Sequence, residues 1–184
     1  MTVKNNFNIF NRQHIMIDLE TLSKHPNAAI VSIGAVKFTF EDGLGDEFLI
    51  NISPKSNAEL KLHFQKDTIE WWNKQPKETR EMWQQNPQHI RDALISLNDF
   101  VGVDKKRIVW AQGAAFDFSI IHSAYIATNL KWPVEYWNEC DSRTVFTLLG
   151  IRNDKIRATQ TEHHSSLGDA KSQALTLINA FKVD

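Results

Sequence analysis

The chain has 184 residues, 42% of them apolar and 23% charged, with a formal net charge of −1 at pH 7. That length suits one domain over residues 1–184 with a single well-buried core at about 14–181, and the charge balance argues against a broadly basic surface for coating nucleic acid. One cysteine, Cys140, excludes an internal disulfide framework and fits a reducing, cytoplasmic setting.

Residues 1–13 are polar, with Asn5, Asn6 and Asn11, and lack the apolar core of a secretion signal. No run elsewhere approaches a membrane span, so membrane attachment is not expected. His14 to Glu20 is a short apolar run that ends in acids, and Pro26-Asn27 is a turn signal. Ala28 to Phe40 is rich in β-branched and aromatic residues. Asp42-Gly43 marks a second turn, after which Phe48, Ile50 and Ile52 alternate as a strand does. The short links predict three antiparallel strands, a β-meander.

From Asp67 to Gln85 the chain is helix-compatible, interrupted at Pro76. Pro87 to Val101 reads as an amphipathic helix, with Ile90, Ala93, Leu94, Leu97, Phe100 and Val101 on one face. Arg107 to Ala111 is a short apolar strand, expected parallel to the first because a long helical segment precedes it. Ala115 to Thr128 is a second helix, with Phe116, Ile120, Ile121, Ala124 and Ile126 or Ala127 inward. A last helix from about Ser166 to Phe181 buries Leu167, Ala170, Ala174, Leu177, Ile178 and Phe181. A meander followed by alternating helix and strand predicts an α/β fold with a mixed sheet.

Three stretches carry candidate chemistry: Asp18-Leu19-Glu20, Phe116-Asp117, and His164-Ser165-Ser166-Leu167-Gly168-Asp169. Asp18 and Glu20 alternate on a strand, so their side chains leave the same face. Side by side they repel, and a divalent cation removes that penalty. An acid-x-acid triplet arises by chance about two or three times in a chain with 22 acidic residues, so position matters more than pattern. Here the triplet ends an apolar strand, where open α/β sheets bind ligands. Asp117 begins the helix that follows the parallel strand. Alone it would merely complement the helix dipole, but this topology brings it near Asp18.

His164 and Asp169 would point about 140° apart on one continuous helix. A helix start near Ser166 instead puts Asp169 in the first turn and His164 in the preceding loop. The Ser166-x-x-Asp169 pattern resembles a capping box, which supports that start. On spacing alone His163 competes with His164. Oxygen-rich clusters of this kind hold two divalent cations for phosphoryl chemistry. A basic excess at Arg152, Lys155 and Arg157 reads as a solvated loop.

The order Asp-x-Glu, Phe-Asp and His-x-x-x-x-Asp resembles the DEDDh group of 3′→5′ exonucleases, which have a ribonuclease H-like fold. The resemblance is sharper with a subgroup of phage and prophage exonucleases and mycobacterial exoribonuclease-like proteins. It runs through Asp18-Leu19-Glu20-Thr21-Leu22, Pro26-Asn27-Ala28-Ala29-Ile30-Val31-Ser32-Ile33-Gly34-Ala35-Val36 and Thr68-Ile69-Glu70-Trp71-Trp72. A glycine-containing stretch before Phe116-Asp117 and Asp141-x-Arg143-Thr144 complete it, so that it covers about residues 14–181. One departure is Ala115, where many relatives carry asparagine.

The resemblance implies a ribonuclease H-like mixed sheet, an antiparallel three-stranded meander plus parallel strands, flanked by helices. It implies that Asp18, Glu20, Asp117 and Asp169 bind two Mg²⁺ ions, with Mn²⁺ substituting, and that His164 rather than His163 is the general base. The function expected is 3′→5′ release of nucleoside 5′-monophosphates from single-stranded or 3′-overhang nucleic acid. The phage-like segments favour DNA, and the mycobacterial relatives pull toward RNA. A non-cutting ribonuclease H-like binding module is the competing class.

Trp71 and Trp72 are expected to wall the terminal base by stacking, although adjacent helical residues diverge by about 100° and cannot fully share that role. Leu19 and Thr21, which flank Glu20, and Phe118, next to Asp117, are also expected at the substrate. Asp141 and Arg143 either support the site or cap a helix. A homodimer is expected on general grounds.

Overall fold

The computed structural model describes residues 9–151 and 165–181. His163 and His164, and the basic excess at Arg152, Lys155 and Arg157, lie outside the described residues. Strands β1 (His14–Thr21), β2 (Ile30–Thr39) and β3 (Gly43–Asn51) form the antiparallel meander, and β4 (Ile108–Ala111) and β5 (Glu139–Asp141) extend it in parallel. Their order across the sheet is β3-β2-β1-β4-β5, which makes β1 the central strand. Seven α-helices are described: α1 (Pro54–Glu59), α2 (Lys66–Asn73), α3 (Lys77–Met82), α4 (Ile90–Val101), α5 (Ala114–Ala127), α6 (Ser142–Leu148) and α7 (Ser166–Ala180). Among the described residues no helix is long and apolar enough to cross a membrane.

The alternation along β1 sorts its side chains into two layers. Ile15, Ile17 and Leu19 join the larger core with Leu94 and Leu97 of α4 and Ile120, Ile121 and Ala124 of α5. Met16 points the other way and packs with Val36, Phe38 and Trp110 beneath Ala170, Ala174 and Leu177 of α7. Asp18 and Glu20 continue the Met16 face, so the acids lie on the side covered by α7. Opposite them on β2 stand Gly34, paired with Asp18, and Ser32, paired with Glu20.

These small residues let α7 approach. A Cβ on Gly34 would overlap the backbone of Ser166 and Leu167, and the Ser32 hydroxyl bonds that of Ser166 at 2.7 Å. Beneath the same helix His14 is fully buried. Its Nε2–H donates to the Ile9 carbonyl at 2.8 Å and its Nδ1 accepts from Trp110 Nε1 at 3.0 Å. Both nitrogens are committed to a neutral ring, and burial lowers its pKa.

Several boundaries differ from the sequence expectation. The cap of α7 is Ser165, whose hydroxyl accepts from the Gly168 N–H, while Ser166 is inside the helix and serves β2 instead. Helix α4 begins at Ile90 rather than Pro87, because Gln88 bridges to Ile52 and the His89 ring caps Arg91 N–H at 3.2 Å. In α5, Phe116 is exposed rather than inward, and of Ile126 and Ala127 it is Ala127 that packs on the core. Strand β5 and helices α1 and α6 carry too little pattern to have been read.

Candidate active site

The carboxyl end of β1 is where the two layers meet. Asp18 and Glu20 come from β1, and Asp169 from the first turn of α7. Oxygens of these three carboxylates lie within 4.8 Å of one another. Asp117, buried in the first turn of α5, approaches from beyond β4. The Leu19 backbone N–H favours its charged form, which places it against β1.

The electrostatics follow from this crowding. Burial, then the charges of Asp117, Glu20 and Asp169, hold the Asp18 carboxyl well above the usual range, against a hydrogen bond from Gln173. Burial and then the charges of Asp169 and Asp117 push Glu20 up to about 8. Burial pushes Asp117 up to about 7, against its own and the Leu19 backbone N–H and the Arg143 guanidinium. Like charges this close cannot all ionise without a proton or a cation among them. An all-carboxylate donor set is hard and suits a divalent ion such as Mg²⁺, Mn²⁺ or Ca²⁺. The residues fit a divalent metal.

Asp141 holds the start of α5 in place. Its Oδ1 accepts from the backbone N–H of Gly113 at 2.9 Å and Ala114 at 3.2 Å, and also caps α6 through Arg143 N–H at 3.3 Å. Its Oδ2 accepts from the Thr144 hydroxyl at 2.7 Å. Although partial burial acts the other way, these bonds lower its pKa. Arg143 in turn donates to the Gln112 carbonyl at 3.0 Å, under the left-handed Gly113, whose φ is 102°. Asp141 and Arg143 thus both cap a helix and brace the turn that presents Asp117.

Beside the acids opens a cleft of about 480 Å³, lined by Leu19, Glu20, Thr21, Lys24, Asp67, Thr68, Trp71, Trp72 and Phe116. Trp71 is 41% exposed, whereas Trp72 is 3% exposed and donates its Nε1–H to the Thr21 carbonyl at 2.9 Å. Trp72 lines the cleft but belongs to the core. Phe118, expected at the substrate, does not line the cleft. It is buried in the larger core, and Phe116 on the other side of Asp117 takes the cleft position. Sequence reasoning missed Phe116, Lys24 and Thr68 at the cleft and Gln173 at Asp18. Gln173 alone carried a signal, as a long polar residue one turn after Asp169 and beside Ala170 and Ala174.

Residues 13–180 match the family described as the 3′-5′ exoribonuclease Rv2179c-like domain. The chain belongs to that family. It is a 3′-5′ exonuclease, a phosphodiester hydrolase acting on nucleic acid. No curated protein sequence matches this exonuclease.

Solved structures share its fold. The nuclease domain of 3′hExo, a DEDDh family member bound to rAMP, aligns with TM-score 0.64 at 12% identity, covering 91% of this chain and 90% of that one. Pop2p of S. pombe, in its Mg²⁺- and Mn²⁺-bound form, aligns with TM-score 0.61 at 12% identity over 90% of this chain and 81% of that one. E. coli exonuclease I, in a zinc-bound complex with single-stranded DNA, aligns with TM-score 0.67 at 11% identity over 90% of this chain. The exonuclease spans only 39% of the exonuclease I chain. The ribonuclease H-like fold of the DEDDh exonucleases is therefore shown, and the comparisons give the expected homodimer no support.

Proposed function

We propose that this exonuclease removes nucleoside 5′-monophosphates one at a time from the 3′ end of single-stranded RNA, using two Mg²⁺ ions for which Mn²⁺ substitutes. The observation that carries the reading is the convergence of Asp18, Glu20, Asp117 and Asp169 at one edge of an aromatic-lined cleft. The family description, which covers residues 13–180, supports RNA over the DNA favoured by the phage-like segments of the sequence. DNA is the second reading, supported by the fold shared with exonuclease I, whose structures hold single-stranded DNA.

When bound, the two cations would neutralise the scissile phosphate and acidify the attacking water. Asp18, Glu20 and Asp169 would hold one of them, and Asp18 with Asp117 the other. His164, assigned by the family spacing from Asp169, would take the proton of the water as a neutral imidazole. Trp71 and Phe116 present exposed rings for the terminal base, a contact that holds single strands with little sequence preference. Lys24 and Thr68 on the same lining offer a cation and a hydroxyl to the phosphate and sugar.

The test is a degradation panel of end-labelled single-stranded RNA, single-stranded DNA and 3′-overhang duplexes with Mg²⁺, Mn²⁺ or chelator. Stepwise release of 5′-monophosphates, faster from RNA and abolished by chelator, is the expected result. Equal or faster cutting of DNA would overturn the polymer assignment. No mononucleotide release from any substrate would overturn the reaction.

A further inference from the structure

Gln173 lies one turn after Asp169 on α7 and donates its Nε2–H to Asp18 Oδ1 at 2.8 Å. The residue is only 6% exposed, and its Oε1 is buried with no hydrogen-bond partner among the described residues. A buried acceptor left without a partner works against folding. Around it the helix buries the apolar Ala170, Ala174 and Leu177 together with two short polar residues, Ser166 and Ser172. An aliphatic side chain of the same length would fill that position without the orphaned oxygen. Stability of the core therefore does not account for a glutamine here, and its single bond to Asp18 does.

We infer that Gln173 is a positioning residue of the metal site, its amide fixing Asp18 in the orientation that meets Glu20 and Asp169. This rests on the carboxylate-metal reading above. Asp18 is surrounded by carboxylates that repel it, and without an anchor its side chain would turn away from them. The chemical nature of the anchor matters as much as its place. A lysine would pair with Asp18 as a fixed cation and compete with the metal, and a glutamate would add a further repelling charge. A glutamine supplies a donor and leaves the negative charge of the cluster for the incoming ion.

The experiment uses the full chain, stripped of metal, as parent, Gln173→Met and Gln173→Asn, each melted and then titrated with Mn²⁺ by calorimetry. Gln173→Met keeps length and loses the donor, and Gln173→Asn keeps the amide but falls one methylene short. Met is expected to melt no lower than the parent without metal. Both variants are expected to bind Mn²⁺ about 10- to 100-fold more weakly, the usual cost of losing a partner of a metal ligand. The Mn²⁺ concentration for half-maximal cutting should rise in parallel, with the KM for oligonucleotide unchanged. Parent-like Mn²⁺ affinity in either variant, or a loss confined to melting temperature, would overturn the inference. If the parent itself binds no Mn²⁺, the metal-site reading falls and the inference with it.

Discussion

Asp18 stands among three other carboxylates whose charges all bear on it, and in the proposed two-ion site it would be shared by both ions. Asp18→Ala or Asp169→Asn is expected to lower kcat/KM by about 1,000-fold or more, several kcal/mol of lost transition-state stabilisation. Asp169→Asn should not lower the melting temperature of the metal-free chain, because it removes a repelling charge. Cutting by both variants at parental rate would refute the assignment. Trp71→Ala tests the cleft instead. Loss of one stacked base, roughly 1–3 kcal/mol, should raise KM by about 5- to 150-fold and leave kcat nearly unchanged. A kcat effect alone would remove Trp71 from the binding wall. At this scale the acids were legible because strand alternation and the helix start constrain them, whereas the aromatic beside Asp117 was not. Phe116 and Phe118 flank it on a helix that is apolar almost all round, with Ile120, Ile121 and Ile126 following, so no stripe marks the outward side.

Among the elements, α7 and the start of α5 carry the geometry of the site. The long periodic segments could be read because their burial patterns repeat, as in α4 and α7. Strand β5 could not, since Glu139-Cys140-Asp141 is too short to alternate, yet it ends on the residue that ties α5 to α6. The contact of α7 with β2 was hidden as well. Gly34 looked like part of a strand, and only the packed structure shows that its missing Cβ admits the backbone of Ser166 and Leu167. Gly34→Ala is therefore expected to push the first turn of α7 off the sheet. Since that turn carries Asp169, stability should fall by about 1–3 kcal/mol, the usual cost of overpacking a close contact. Activity should fall more than the unfolded fraction explains. Thermal melts and single-turnover cutting well below Tm separate the two effects, and parental values for both would show that α7 yields without cost.

In the molecule as a whole, buried groups of opposite type set a pH dependence that the net charge of −1 does not reveal. Glu20 is raised from 4.5 to about 8 and Asp117 from 3.8 to about 7, so the folded, metal-free chain keeps protons that the unfolded chain has already released. Where the folded state binds more protons, stability falls as pH rises through the folded pKa values, about 7 for Asp117 and about 8 for Glu20. His14 acts in reverse. Its folded pKa is depressed below 6.5, so the unfolded state binds the extra proton and stability falls as pH drops through that region. The window from about pH 6.5 to 8.5 isolates the carboxylates. Without metal, Tm is expected to fall across it by several degrees, about 2–4 °C for each kcal/mol in a chain of this size. Asp18→Asn should flatten the fall by removing the group at the centre of the repulsion. Excess Mg²⁺ should abolish or reverse it, since cations bind the deprotonated carboxylates more tightly as pH rises. Calorimetric melts at pH 6.5, 7.5 and 8.5, with chelator and with Mg²⁺, decide the matter. A metal-free Tm that holds steady or climbs across that range would mean that the acids are ionised and solvated in the folded chain, and the cluster would lose its claim to need a cation.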